Sequence, residues 1–145
     1  MRGSSLSQVT VSNLAIFDTS IFIDHLRNGS HQSRIDTLTG LVRLSSVVLA
    51  ELWRGATEPA EREFLRSLEK NHCILTPTEN NWAESGRLLG QMYADRGFTP
   101  AKLRDLHFDV LIALTARSHG ARLITSNRGD FEMINAYRKF HLEIW

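Results

Sequence analysis

Four apolar segments of this 145-residue chain run directly into a carboxylate. Leu14-Ala15-Ile16-Phe17 ends at Asp18, and Ile21-Phe22-Ile23 follows. Glu51 lies within Val47-Val48-Leu49-Ala50-Glu51-Leu52-Trp53, and Asp109 precedes Val110-Leu111-Ile112-Ala113-Leu114. Asp130 closes the stretch from Leu123 to Gly129 and is followed by Phe131. A carboxylate beside a hydrophobic core is costly unless it is paired, protonated or bound to a cation. Four of them, each at the end of an apolar run, point to one acidic pocket suited to a hard, oxygen-seeking ion.

The pattern of elements says how such a pocket would be assembled. Leu14 to Phe17 reads as a buried strand. Asp18-Thr19-Ser20 supplies a helix start, with a helix over roughly 21–27 that stops at Asn28-Gly29. A second helical stretch covers about 31–41. A strand over 42–46 leads into a helix over 47–54, ended by Gly55. Thr57-Glu58-Pro59 opens a helix that runs to about Lys70. His72 to Leu75 is the next strand. Thr78 caps a long helix with Trp82, Leu88, Leu89 and Met92 at helical spacing, stopped by Gly97. Thr99-Pro100 opens a helical region to about Ser118, bent or broken near Leu106-His107 and ended by Gly120. Arg122 to Thr125 is a strand, and 141–145 a possible last one.

Strands alternating with helices predict a three-layer α/β/α domain around a mainly parallel sheet. In such sheets ligands bind beyond the carboxyl ends of the strands. Asp18 follows one strand directly, and Asn127 to Asp130 follow another. Glu51 shares a helical face with Val47, Val48 and Leu52, an inward stripe on which a lone glutamate needs a partner. Asp109 starts a segment that is apolar nearly all round, so its helix is expected to be central.

The chain is long enough for one domain with its own core and needs no disulfide. Residues 1–13 read as a flexible N-terminal arm and 14–145 as a single domain. The single cysteine, Cys73, fits a reducing cytoplasm and is expected in the core, since free cysteine is commonly buried. No apolar run approaches the roughly 20 residues of a membrane span. The net charge of +1 hides scattered arginines, so clustering the acids leaves a basic remainder that suits a polyanion. Asp24, Asp36, Asp95 and Glu58, Glu61 and Glu63 lack an apolar context and read as solvated faces. His107 reads as a packing or surface residue. Arg54 and Arg128 either hold phosphate or form salt bridges, and the sequence favours neither. Trp53, Trp82 and Trp145 read as core or dimer residues.

Ile16-Phe17-Asp18-Thr19-Ser20, Ala50-Glu51-Leu52, Phe108-Asp109-Val110-Leu111-Ile112-Ala113 and Thr125-Ser126-Asn127-Arg128-Gly129-Asp130-Phe131 resemble, in order and spacing, the signature blocks of PIN-domain ribonucleases. More narrowly, the chain resembles VapC-type toxins of type II toxin–antitoxin modules, over residues 14 to about 145. The resemblance implies an endoribonuclease that uses Mg2+ or Mn2+, with Asp18, Glu51, Asp109 and Asp130 as the acidic, metal-binding and catalytic quartet. It implies supporting roles for Ser20, Thr125 and Asn127 in orienting water or ligands. It also implies an RNA substrate, a homodimer and a small antitoxin that covers or disrupts the site. No shared histidine base belongs to that family, which agrees with a metal-activated water as nucleophile. One departure stands in Leu103-Arg104-Asp105-Leu106-His107-Phe108-Asp109, where two aspartates lie four apart. The Leu-Ile-Ala that follows favours Asp109, with Asp105 a possible auxiliary ligand.

The chemistry is consistent with that resemblance. Cleaving an RNA backbone moves negative charge through a phosphate that is already anionic. A carboxylate-held divalent ion screens that charge and acidifies water. Two other classes compete. A non-catalytic module with this fold would bind RNA or an antitoxin, but would be expected to have lost one or more acids. A phosphotransferase of haloacid-dehalogenase type would use Asp18 as nucleophile, but that chemistry wants a second aspartate where Ser20 stands.

Overall fold

The computed structural model describes residues 13–38 and 41–145. The reading of residues 1–13 as an arm therefore falls almost wholly outside the described residues. Five strands form one sheet in the order β3-β2-β1-β4-β5, and every neighbouring pair is parallel. These are β1 (Leu14–Phe17), β2 (Leu41–Ser45), β3 (Ile74–Leu75), β4 (Arg122–Thr125) and β5 (His141–Ile144). Among the described residues seven helices connect them: α1 (Thr19–Asn28), α2 (Gln32–Thr37), α3 (Ser46–Gly55), α4 (Pro59–Asn71), α5 (Glu79–Arg96), α6 (Pro100–Ser118) and α7 (Arg128–Tyr137). The three-layer α/β/α architecture read from the sequence is the one observed.

Why β1 is central follows from its side chains. Ala15, Ile16 and Phe17 are buried, as a strand covered on both faces must be. It pairs with β2 on one side, Ile16 beside Arg43, and with β4 on the other, Ile16 beside Leu123. The chain first builds β1, β2 and β3 in one direction and then returns to add β4 and β5 in the other. The order therefore reverses between β1 and β4, which opens a crevice beyond their carboxyl ends.

Helix ends follow local chemistry. Asp18 caps α1, and Gly29 ends it at φ 66°, a left-handed conformation that costs glycine no Cβ clash. Ser45 closes β2 and caps α3, its Oγ accepting from the backbone of Val47 and Val48 at 3.1 and 3.2 Å. Thr78 and Asn81 form a reciprocal capping box at the start of α5. Thr99 caps α6, and Pro100 occupies its first turn. Glu61 accepts from the backbone of Glu58 and Thr57 at the start of α4, a capping role that the solvated-face reading of this acidic run had not included.

Four expectations are corrected. Helix α6 is continuous through Leu106 and His107. Leu106 is buried in the core while His107 bonds to Ser85 of α5, so the mixed pattern there reflects two packing partners and no break. The second helical stretch ends at Thr37 instead of near Leu41. The strand expected over His72 to Leu75 shrinks to two residues at the sheet edge, and Cys73 is exposed. β3 stands at the sheet edge, paired with β2 alone, and Ile74 is 44% exposed, a position that an apolar tripeptide cannot reveal by itself.

Val110 to Ala116 of α6 are all buried, making this helix the spine of the core. Truncating Leu111, which has no exposed surface, leaves a cavity that α6 cannot collapse around. Leu111→Ala is expected to lower the unfolding free energy by about 2–5 kcal/mol, read as a lower urea midpoint at unchanged slope.

Candidate active site at the carboxyl ends of β1 and β4

Asp18 is the first residue beyond β1 and is only 4% exposed. Its Oδ2 accepts from Ser20 Oγ at 2.8 Å, Thr125 Oγ1 at 2.8 Å and the Ser20 backbone amide at 3.3 Å. The two hydroxyls also lie 3.1 Å apart, and the Asn127 amide donates to Thr125 Oγ1 at 2.9 Å. Two residues expected in support, Ser20 and Thr125, thus touch the first acid directly. Asn127 enters through its backbone. With Oδ2 engaged by three donors, Asp18 is built to be held still, which disfavours its use as a covalent nucleophile.

Glu51 projects from α3 and finds the partner its inward face demanded. Thr19 Oγ1 donates to Glu51 Oε1 at 2.7 Å. Burial pushes its carboxyl above the usual range; the Thr19 hydrogen bond opposes this, the Asp18 charge adds to it, and Arg54 opposes it. Asp130 lies in the first turn of α7, where an acid complements the helix dipole. Its Oδ1 stands 3.1 Å from Lys102 Nζ of α6.

Asp109 is where these charges meet. Its pKa is pushed up to about 8, first by burial and then by the charges of Asp18, Glu51 and Asp130, against a smaller opposing influence of Lys102. No hydrogen bond reaches its side chain among the described residues. The fold thus brings all four acids into one electrostatic neighbourhood and leaves the most strongly perturbed of them without a donor. Asp105, one turn earlier on α6, is exposed and lines a cleft with Glu51 and Asp109. Its charge is not among those that raise Asp109, so it sits at the edge of the cluster.

A hard divalent cation fits this donor set. The four acids offer only oxygen, and their mutual repulsion is relieved by positive charge. Among the described residues no three acidic, histidine or cysteine side chains form a ready ligand group. Carboxylates that repel one another have no reason to close into a shell before a cation arrives.

Three participants escaped the sequence reading. Thr19, beside Asp18 in the motif, carries no signal of its own for a partner 32 residues away. Lys102 lies 28 positions from Asp130, a separation that gives no local signal. Asp24, read as solvated, accepts from Ser126 Oγ at 3.0 Å and pairs with His31 Nε2 at 3.1 Å. The His31 contact in particular holds its carboxyl below the usual range. Ser126 in turn donates its backbone amide to Ser20 Oγ at 3.1 Å, so α1 and the β4–α7 turn are tied twice. Arg128 pairs with Glu132 at 2.8 Å, its salt-bridge reading. Arg54 lies over the Phe108 ring, 5.7 Å from its centroid.

A parallel α/β/α sheet with four acids at its switch point defines a class of protein. Comparison with known proteins gives it a family. The PIN domain matches residues 15–136, and the chain belongs to that family. Among curated proteins none matches. Solved structures share the fold. The structure of VapBC-1 from nontypeable Haemophilus influenzae is 22% identical, with a TM-score of 0.67 over 91% of this chain and 98% of that one. VapBC2 from Rickettsia felis, bound to a DNA fragment from its promoter, is 21% identical, with a TM-score of 0.68 over 91% and 98%. DNA-bound VapBC from Salmonella typhimurium is 24% identical, with a TM-score of 0.66 over 92% and 99%.

Proposed function

We propose that this protein is an endoribonuclease toxin of VapC type, dependent on Mg2+ or Mn2+ and neutralised by a cognate antitoxin. The observation that carries the reading is Asp109, a half-buried carboxyl with no hydrogen-bond donor among the described residues, raised to about 8 by desolvation and by three acids on other elements. A structural carboxylate would be paired; this one is arranged to lose its proton to a cation. Asp18, Glu51, Asp109 and Asp130 would hold that cation, which when bound screens phosphoryl charge and makes water a better nucleophile.

Each side chain then has a task. Ser20 and Thr125 fix Asp18 so that its free oxygen keeps one direction, and Asn127 braces Thr125 through its amide. Thr19 fixes Glu51 in the same manner. Lys102 offsets the charge of Asp130 while the site lacks a cation. Below a pH of about 8 Asp109 retains a proton in the metal-free protein, and cation binding displaces it.

Support for an antitoxin partner comes from the solved relatives, which are VapBC assemblies, and from a groove of about 220 Å³ beside Glu51. Ile23 and Leu26 of α1, Leu52 of α3 and Leu65 of α4 line it. An apolar segment seated there would approach the acids. Residues 14–145 as one domain, a homodimer and a cytoplasmic setting complete the proposal.

The test is cleavage of total cellular RNA by purified, antitoxin-free protein, with Mg2+ or Mn2+, with EDTA, and beside Asp18→Asn. Discrete fragments that need the metal and vanish in the variant are expected. Fragments that survive EDTA and persist in Asp18→Asn would refute the assignment.

A further inference from the structure

Beside the acids lies a cleft of about 540 Å³ between α3 and α6, within the range of small-ligand sites. Glu51 and Asp109 line it from the acidic cluster, and Arg54, Arg104, Asp105, His107 and Phe108 complete it. Its charge is divided. The half-buried Asp109 would face a cation, whereas two exposed guanidiniums line the same cleft. Arg54 is the better held, its guanidinium resting over the Phe108 ring and close enough to Glu51 to lower that carboxyl's pKa. Arg104, on α6 one residue before Asp105, has no salt bridge or hydrogen bond among the described residues. His107 is fixed by Ser85 Oγ at 3.0 Å and by the edge of Trp82, with ring centroids 5.9 Å apart. That wall is therefore rigid.

We propose that the α3–α6 cleft is the track along which single-stranded RNA enters, with Arg54 and Arg104 binding the phosphate next to the one cleaved. The inference rests on the RNA-cleaving function proposed above and adds to it the residues that seat the substrate. A polyanion approaching four carboxylates is repelled unless fixed positive charge lies within a nucleotide of them. Arginine suits that position because its fork of donors matches a phosphate and its charge persists at any working pH. Arg128, the other arginine beside an acid block, is occupied by Glu132, and Arg138 pairs with Glu84. Arg54 and Arg104 are free of salt bridges among the described residues and share a cleft with two of the acids.

The experiment measures binding without catalysis. Fluorescein-labelled, mixed-sequence single-stranded RNA is titrated with protein in EDTA, and anisotropy is followed over a range of salt concentrations. The variants are Arg54→Gln/Arg104→Gln, Arg54→Lys/Arg104→Lys and, as a control from an exposed α4 position, Arg66→Gln. The double glutamine variant is expected to bind at least tenfold more weakly at low salt. Its plot of log affinity against log salt should be shallower by about 0.7, the change expected when one phosphate of a single strand is no longer neutralised. The lysine variant should recover the slope, and Arg66→Gln should match the unaltered protein. Unchanged affinity and slope in the double glutamine variant would overturn the track while leaving the nuclease reading intact. Absence of RNA binding by the unaltered protein, with single-stranded DNA bound instead, would overturn the RNA reading and this inference with it.

Discussion

Asp109→Asn is expected to make the metal-free protein more stable at pH 8 while abolishing cleavage. In the fold the Asp109 carboxyl titrates at about 8. In the unfolded chain an aspartate titrates near 3.9. Below about pH 4 both states are protonated and the residue is neutral with respect to stability. Between about 4 and 8 the unfolded chain has released a proton that the fold retains, so stability falls by about 1.4 kcal/mol per pH unit. Above 8 both states are ionised and the full penalty persists, on the order of 5 kcal/mol. Asparagine removes that penalty but buries an amide without a partner, at about 1–3 kcal/mol. The first effect is larger, so in EDTA at pH 8 the variant should melt roughly 5–10 °C higher. The gap should close as pH falls toward 4. Mn2+ should raise the melting temperature of the unaltered protein and leave the variant unmoved. A variant less stable than the parent at pH 8 would mean that Asp109 is satisfied in a way the geometry does not provide.

Asp18 is expected to behave differently, because it combines the same charge with a structural duty. Both Asp18→Asn and Asp18→Ala should reduce cleavage by roughly a hundredfold or more, since losing a proposed cation ligand would forfeit several kcal/mol of transition-state charge stabilisation. Their stabilities should diverge. Asparagine caps a helix as well as aspartate and still accepts from Ser20 and Thr125. Alanine loses the cap, at about 1 kcal/mol, and leaves two hydroxyls without their acceptor. Because those hydroxyls can turn to each other at 3.1 Å, part of the second loss is recovered. Urea unfolding should therefore place the alanine variant about 2 kcal/mol below the asparagine variant. Equal stability of the two would show that the Ser20–Thr125 clasp does not depend on Asp18.

What the sequence made legible and what it hid divide along a physical line. Local signals located the elements well. Asp18 as a cap, Gly29 and Gly97 as stops and Pro100 in a first turn all act within a few residues. The four acids were visible because each interrupts an apolar run, and an interruption of that kind is local too. Asp24 and Lys102 were not visible. Asp24 looks solvated in α1 until His31, seven residues on, and Ser126, 102 residues away, are set against it. Lys102 looks like any lysine in a first helical turn until Asp130 is placed beside it. Cys73 misled for the opposite reason: its apolar neighbours suggested a core strand, whereas only the position of β3 in the sheet decides exposure. The same limit governs Asp105 and Asp109, which share a helix and differ only in what the fold sets around them.

The length of chain enclosed by the site's hydrogen bonds has a consequence for synthesis. Thr125 reaches Asp18 across 107 residues, and the Ser126 amide reaches Ser20 across 106. A ribosome that has released the chain only through α6 has already made Asp18, Glu51 and Asp109. Those acids then lack Thr125, Ser126 and Asp130, and β1 lacks its β4 neighbour. Contacts of such separation form late, since the loop they close must be ordered first. A nascent chain at that stage therefore carries three of the four acids without the β4 strand and the Thr125 hydroxyl that hold Asp18 in place.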